Sequence, residues 1–134
     1  MITPRLECIL KYVTEKTVAD IGTDHAYIPI KLVLDGICDK VIASDIKPGP
    51  VSAAKRHVEK YGLSKNIDVR LGPGLEPLFE GEAKQIIIAG MGGETIVMIL
   101  EAAEWVKNSR LRLILQPMTR AEDLRRWLLK NGFS

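Results

Sequence analysis

The sequence predicts an α/β fold in which helices cover a parallel, doubly wound sheet of about five strands. Strand-like apolar segments alternate with helix-like segments five times along the 134 residues, a pattern typical of parallel sheets. The first strand runs directly into Gly22, and the fourth runs directly into Gly90-Met91-Gly92-Gly93. Glycine turns after buried strands lie at the carboxyl edge of the sheet, where open α/β folds bind nucleotides. We therefore expect a nucleotide site at that edge.

Length and composition indicate one globular domain covering residues 1–134. The chain is 46% hydrophobic and 27% charged, which argues against a disordered protein. A net charge of +2 permits a nucleic-acid partner without arguing for one. Cys8 and Cys38 lack metal-ligand spacing, as do the two histidines, so no metal is expected. The sequence shows no signal peptide and no membrane-spanning run, so we expect a cytoplasmic protein without a membrane partner.

The first half of the chain predicts three helices and two strands. Thr3 is an expected N-cap, and Pro4 opens the first helix. Strands are predicted over 17–21 and 40–45, with helices over 27–35 and 51–61 and a stiff turn over 47–50. The basic side chains of the third helix are more typical of a solvated face than of a nucleic-acid patch; these are Lys55, Arg56 and Lys60.

The second half predicts three more strands and two helices. Strands are expected over 67–71, 85–89 and 111–115, the middle one apolar throughout, as in a buried parallel strand. A helix is predicted over 94–106, and the last helix begins at Thr119 or Arg120. Its inward side chains are expected to be Ala121, Leu124, Leu128 and Leu129.

Three acids and a histidine after the first two strands favour a binding site over a purely structural turn. Asp20, Asp24 and His25 crowd the first glycine turn, although a turn needs only glycine and at most one capping residue. Asp45 ends the second strand 23 positions after Gly22, close to the roughly 20-residue spacing of a ribose-binding acid. The alternatives are that Asp24 caps the next helix with His25 partly exposed, and that Asp45 is a capping loop residue.

Motifs that the sequence lacks limit which kinds of nucleotide this site is expected to bind. The first turn lacks GxGxxG, and the chain contains neither GxxxxGK[ST] nor GxSxG, which argues against dehydrogenases, P-loop enzymes and serine hydrolases. A glycine turn with flanking acids, an acid after strand two and a glycine-rich loop after strand four suit S-adenosylmethionine. This cofactor has an amino-acid group and a ribose, but no pyrophosphate.

Several segments together resemble the TrmK family of bacterial tRNA (adenine-N1)-methyltransferases. They are IGTDHAYIPI, ASD, RLGxGLEPL, IIIAGMGGE, LILQP and LRRWLxxNGF, and they span nearly the whole chain. The resemblance implies a Rossmann-like class I methyltransferase fold, S-adenosylmethionine as cofactor and methylation of adenine 22 in tRNA. Pro73, His57 and Met118 depart from the residues expected at their positions.

The resemblance also implies roles for individual residues. Asp20 and Gly22 would contact the methionine part of the cofactor, Asp45 its ribose and Ile46 its adenine. Gly72 and Gly74 belong to a third cofactor motif, and Gly90, Met91 and Gly92 would lie near the methyl group. Asp24 and His25 would face the target base as catalytic residues. Gln116 and Pro117 would contact that base. Independently of the resemblance, Arg5 points away from the inward face of the first helix and is a further candidate for the cleft, with a solvated surface position as the alternative.

The family fold normally continues beyond the last helix predicted here. A final antiparallel strand pair and a helical extension that helps to hold tRNA are absent from the 134 residues, so we expect a C-terminally truncated domain with an apolar sheet edge at its fifth strand.

Three functions stay open: an active tRNA methyltransferase or a methyltransferase with another substrate, a cofactor-binding fragment without activity, and an interaction module that reuses the fold. The sequence leaves the oligomeric state open.

Overall fold

A computed structural model describes residues 3–108 and 111–133. The described chain forms six helices and five strands, in the order expected. They are α1 (Pro4–Lys11), β1 (Thr17–Ile21), α2 (Tyr27–Leu34), β2 (Lys40–Asp45), α3 (Pro48–Lys60), β3 (Ile67–Leu71), β4 (Gln85–Gly92), α4 (Gly93–Glu101), α5 (Trp105–Asn108), β5 (Arg112–Thr119) and α6 (Ala121–Lys130).

The five strands form one parallel sheet in the order β3-β2-β1-β4-β5. The chain first winds outward from β1 to β3 and then returns to the middle, so that β4 pairs with the other side of β1. The direction of winding therefore changes between β1 and β4. Crevices outside the carboxyl ends of strands at such a point bind ligands, and the predicted doubly wound fold is confirmed.

Two hydrophobic cores lie on the two faces of the sheet. Alternate residues along a strand face opposite sides; thus Val18 belongs to the core under α1, α2 and α3, whereas Ala19 belongs to the core under α4, α5 and α6. In β4, Ile87 faces the first core while Ile86 and Ile88 face the second. Burial on both faces explains why β4 is apolar at successive positions.

The start of the chain folds as the sequence predicts. Thr3 caps α1 by accepting a hydrogen bond from the Leu6 amide, and proline occupies the first turn. A buried amide that the sequence analysis missed holds the end of this helix to the sheet. Gln85 accepts from the Thr14 amide and donates to the Tyr12 carbonyl, at 3.0 and 3.1 Å. Helix α1 is thereby fixed near the amino end of β4.

The predicted stiff turn over 47–50 is wrong, because these residues begin helix α3. Lys47 is the extended N-cap and Pro48 opens the helix. Proline is tolerated in a first helical turn because its missing amide hydrogen has no partner there in any case.

Strand β4 and its neighbour β5 are longer than predicted. Strand β4 continues through its glycines to Gly92, with an irregularity at Gly90, and β5 continues beside it to Thr119. Each strand supplies hydrogen-bond partners for the other, a pairing that local sequence does not reveal. The predicted 94–106 helix is instead split into α4 and α5, between which residues 102–104 are not helical.

Helix α6 buries a different side chain from one of those predicted. Trp127 is buried with Leu124, whereas Leu129 is 74% exposed. The Trp127 indole donates a hydrogen bond to Glu101 at 2.8 Å, so this side chain points from α6 towards α4.

Strand β5 lies at the edge of the sheet and its apolar residues are only partly buried. Within the part of the chain that the structure describes, no helix is long and apolar enough to cross a membrane.

Candidate functional site

A cavity of about 1160 Å³ opens at the carboxyl edge of the sheet. The ends of β1, β2 and β4 contribute to its wall, together with the loop after β3 and one side of α4. Its charged lining residues are three acids, Asp24, Asp45 and Glu76, and one cation, Lys47. The volume is slightly above the roughly 300–1,000 Å³ typical of small-molecule sites, and the excess of carboxylates favours a ligand with positive charge.

Gly22 shapes the turn between β1 and the cavity. Its φ of +73° is left-handed, and a Cβ there would collide with the terminal carbon of Met91. The Gly22 and Thr23 amides both donate to the Ser44 carbonyl, at 2.8 and 2.9 Å, which fixes the turn against the end of β2. Glycine at this position therefore permits the backbone turn and leaves room for Met91 above it.

Asp20 is a buried acid at the end of β1, with 4% of its surface exposed. Its carboxylate accepts a hydrogen bond from the Thr23 hydroxyl at 2.8 Å. Burial raises the pKa of Asp20 to about 7, the Thr23 hydrogen bond opposes this shift, and the nearby Asp45 charge adds to it. The carboxyl group lies beneath the glycine turn and does not line the cavity.

The acids after the first two strands are joined directly. The Asp24 amide donates to one carboxylate oxygen of Asp45 at 3.1 Å, and the Lys47 amide donates to the other at 3.2 Å. These two bonds orient the Asp45 carboxylate at the cavity wall, and each of its oxygens retains a further acceptor site. Asp24 itself has a left-handed φ of +56°, and it is not the cap of α2, whose N-cap is Ala26.

His25 is not among the residues that line the cavity, although Asp24 is. Its imidazole pairs with Asp24 at 3.3 Å and lies in a second, smaller hollow against α3. His57 Nδ1 donates to the His25 carbonyl at 2.7 Å, because a carbonyl oxygen can only accept. The two predicted catalytic residues are thus adjacent, but they face different hollows.

The three predicted substrate residues come together beside Gly90. Arg5 Nη1 donates to Gln116 Oε1 at 2.8 Å across 111 positions of sequence, and the same guanidinium approaches the site where a Gly90 Cβ would lie. Gly90 has a φ of +81°, and the irregularity there leaves Met91 paired with Pro117. This cluster forms where the glycine-rich end of β4 meets β5.

The predicted cofactor residues divide into those that line the cavity and those that support it. The lining residues are Gly22, Asp45, Ile46, Gly72, Gly74, Gly90 and Met91. Asp20 lies beneath the turn, and Gly92 is the extended N-cap of α4, where a Cβ would crowd Glu94 and Thr119. Sequence reasoning thereby selected residues from four separate segments that fold against one another.

Other lining residues were missed by the sequence analysis. The Ser44 side chain is fully buried at the wall, and its hydroxyl is the buried side-chain polar atom that finds no partner among the described residues. The sequence did contain a signal for Ser44, because it directly precedes Asp45 in the ASD segment that carries the family resemblance. Helix α4 adds Thr95, Met98 and Ile99, which carried no signal because they resemble ordinary helix residues.

Metal binding finds no support in the described side chains. Across 3–108 and 111–133, no cluster of three or more histidine, cysteine or acidic residues is arranged to hold an ion.

Comparison with known families identifies the fold's relatives. A family model described as a methyltransferase domain matches residues 2–134. This chain belongs to that methyltransferase family. The match covers almost the entire methyltransferase domain described above, including both glycine turns and Asp45.

Individual relatives agree with the resemblance to the TrmK family, which is confirmed. The domain is 46% identical over 134 residues to the tRNA (adenine(22)-N(1))-methyltransferase of Bacillus subtilis, covering 99% of this chain and 56% of that protein. The crystal structure of B. subtilis TrmK superimposes with a TM-score of 0.92 at 46% identity, over 97% of this chain and 56% of the other.

A relative from another organism was solved with a bound ligand. A Streptococcus pneumoniae protein in complex with S-adenosyl-L-methionine has a TM-score of 0.94 and 43% identity, covering all of this chain and 64% of that one. The methyltransferase domain thus spans somewhat more than half the length of the relatives it matches.

Proposed function

We propose that this chain is the cofactor-binding and catalytic domain of a tRNA methyltransferase that methylates N1 of adenine 22. The observation that carries the proposal is the cavity with three acids in its lining, at the edge of the sheet where the direction of winding changes. The sequence that forms it is 46% identical to that of the B. subtilis enzyme. The S. pneumoniae relative with S-adenosyl-L-methionine bound supports this molecule as the cofactor. A tRNA substrate also favours the cytoplasm as the site of action.

The cavity wall fits S-adenosylmethionine in its polar and apolar parts. Asp45 is held by two backbone amides and offers acceptors to the two ribose hydroxyls. Ile46 is 61% exposed beside it and lines the cavity with Pro73, so both supply apolar surface for the adenine ring. The unpartnered Ser44 hydroxyl is a polar group that a ligand would satisfy.

The charge of the cavity also fits this cofactor. S-adenosylmethionine carries a sulfonium and an ammonium group against a single carboxylate, and three acids line the cavity against one lysine. When bound, the cofactor would supply an electrophilic methyl group: N1 of adenine would bond to the methyl carbon as the carbon–sulfur bond breaks, with S-adenosylhomocysteine as the leaving group. The chain's own contribution is largely alignment, because two bound reactants in the correct geometry gain most of the rate.

Asp24 is the residue we propose for the electrostatic part of the reaction. Its side chain is 69% exposed at the cavity wall, and methylation of N1 leaves a positive charge on the base. A nearby carboxylate stabilises this developing charge or accepts a proton from the exocyclic amine. His25, 3.3 Å from the Asp24 carboxylate, orients it and provides an exit for that proton. Arg5, Gln116 and Pro117 border the approach of the base.

Calorimetric titration with S-adenosylmethionine tests the cofactor site. We expect the 134-residue chain to bind, and Asp45→Ala to weaken binding at least about tenfold, because hydrogen bonds to a charged group contribute about 1.5–3 kcal/mol. Asp39→Ala is the matched control, since Asp39 is an exposed acid just before the opposite end of the same strand. Equal affinity of wild type and Asp45→Ala would contradict the assignment of Asp45.

Methyl transfer to unmodified tRNA tests the activity, with a tRNA carrying guanine 22 as the substrate control. We expect Asp24→Asn to lower kcat on the order of 100-fold with normal cofactor affinity, since asparagine tolerates the left-handed φ of Asp24 and keeps the amide bond to Asp45. Full turnover by this variant would refute the role of Asp24. Cofactor binding by wild type without any methyl transfer would contradict the proposal and favour the alternative, a cofactor-binding fragment that is inactive by itself.

A further inference from the structure

A second hollow of about 260 Å³, here named the outer groove, lies beside the cavity. It is lined by His25, Tyr27, Ala53, Arg56, His57 and Lys60. The groove runs between the start of α2 and the exposed side of α3. His25 directly follows Asp24 in the chain, so the groove begins one residue from the cavity wall.

The rings of His25, Tyr27 and His57 form an aromatic floor in the outer groove, and Tyr61 extends the row of rings beyond the lining residues. The ring centroids of His25 and Tyr27 are 5.5 Å apart, those of Tyr27 and His57 5.3 Å, and those of His57 and Tyr61 5.3 Å. The bond from His57 Nδ1 to the His25 carbonyl joins this row to the glycine turn of the cavity. The groove and the reactive site are therefore held in a fixed relation.

The charge of the outer groove is opposite to that of the cavity. Arg56 and Lys60 lie one helical turn apart on α3, and no acid is among the lining residues. Neither cation takes part in an ion pair within the described part of the chain, although Glu59 lies exposed on the same helix. Two unpaired cations on one exposed face favour an anionic partner.

We propose that the outer groove binds the phosphodiester backbone of the RNA strand next to the target adenosine. The proposal rests on the proposed function and adds the surface that holds the substrate. Phosphates are repelled from a cavity with three carboxylates, whereas a neutral adenine is not. The target base therefore enters the cavity while the adjoining phosphates lie against Arg56 and Lys60, whose guanidinium and ammonium groups suit phosphate oxygens.

The aromatic floor adds a second contact for the same strand. An adenine that reaches the cavity must leave its stack, and its neighbour then exposes a face that aromatic side chains can cover. His25 and Tyr27 present such a surface beside the two cations. The basic residues of α3, which the sequence analysis took for a solvated face, thus acquire a role from their position beside the glycine turn.

The test measures tRNA binding by the double variant Arg56→Ala/Lys60→Ala. Loss of two phosphate contacts should weaken binding roughly 30-fold at 0.1 M salt and reduce the slope of log K against log salt by about 1.5. The affinity for S-adenosylmethionine and kcat at saturating tRNA should stay unchanged, which also verifies that the variant is folded. The charge-conserving variant Arg56→Lys/Lys60→Arg should restore most of the affinity.

A matched control places the same loss of charge on the opposite edge of the sheet. Arg125→Ala/Lys130→Ala removes two exposed cations from α6 and should change tRNA affinity less than twofold. Equal tRNA affinity of the Arg56→Ala/Lys60→Ala variant and this control would overturn the outer groove as an RNA site. That result, with wild type still methylating tRNA, leaves the proposed function intact, whereas a wild type that binds the cofactor but neither binds nor methylates tRNA refutes both.

Discussion

Replacement of Asp20 by asparagine should stabilise the protein at neutral and alkaline pH. Asp20 is buried, and its pKa rises from 3.8 to about 7 in the folded chain. Each pKa unit corresponds to about 1.36 kcal/mol, so ionising this carboxyl in the folded protein costs on the order of 4 kcal/mol. Asparagine stays neutral at all pH values and can still accept the Thr23 hydroxyl bond.

The direction of the pH dependence follows from the raised pKa. Between pH 3.8 and about 7 the folded state holds a proton on Asp20 that the unfolded state has released, so the free energy of unfolding falls as pH rises. The contribution is fully present below pH 3.8 and is lost above about pH 7. The advantage of Asp20→Asn over wild type should therefore grow by about 4 kcal/mol from pH 3.5 to pH 8.

Urea denaturation of wild type and Asp20→Asn across this pH range provides the measurement. Thermal denaturation at pH 8 is a second measurement, in which the Tm of the variant should exceed that of wild type by roughly 10–20 °C, given the size of the chain. Asp35→Asn is the control, because Asp35 is an exposed acid whose ion pair with Lys31 is worth only a few tenths of a kcal/mol. Parallel stability curves of wild type and Asp20→Asn would show that the buried carboxyl is not destabilising and would refute the reasoning.

Two further predictions concern packing away from Asp20. Glu82→Gln should lower the free energy of unfolding by roughly 1–3 kcal/mol at pH 7, because Glu82 binds Arg70 and the Phe79 amide. The Arg70 hydrogen bonds hold the pKa of Glu82 below 4.5, so the loss should shrink as pH falls below that value; a pH-independent loss in urea denaturation would contradict it. Gly93→Ala should cost about 3 kcal/mol or more, because its Cβ would collide with the Arg120 carbonyl, and an unchanged Tm would contradict this contact.

Much of the site could be predicted because its residues lie at the ends of strands or directly after them in the sequence. The bounds of β1, β2 and β3 agree with the prediction, and a parallel sheet brings the carboxyl ends of its strands to one edge. Gly22 and Asp45 line one cavity for this reason. Their chemical types also distinguish them from ordinary turn residues, which is why local patterns were sufficient.

Contacts between distant segments were beyond local sequence reasoning. Strand β4 extends to Gly92 because β5 pairs with it as far as that residue, apart from the irregularity at Gly90, although three glycines in four residues predict a loop. Arg5 meets Gln116 only because the fold brings α1 beside the end of β5. Trp127 is buried on α6 where Leu129 was expected to be, and its indole donates a hydrogen bond to Glu101 on α4.

The sequence by itself determined the order of helices and strands along the chain, the glycine turn after β1 and the acid after β2. These features depend on hydrophobic periodicity and residue type. Only the tertiary structure decided that Asp24 and His25 face different hollows, and that the cations of α3 lie beside the second one. The reason is physical: a side chain's direction is set by the left-handed backbone of Asp24 and Ala26 and by the His57 bond across 32 residues, neither of which a linear pattern records.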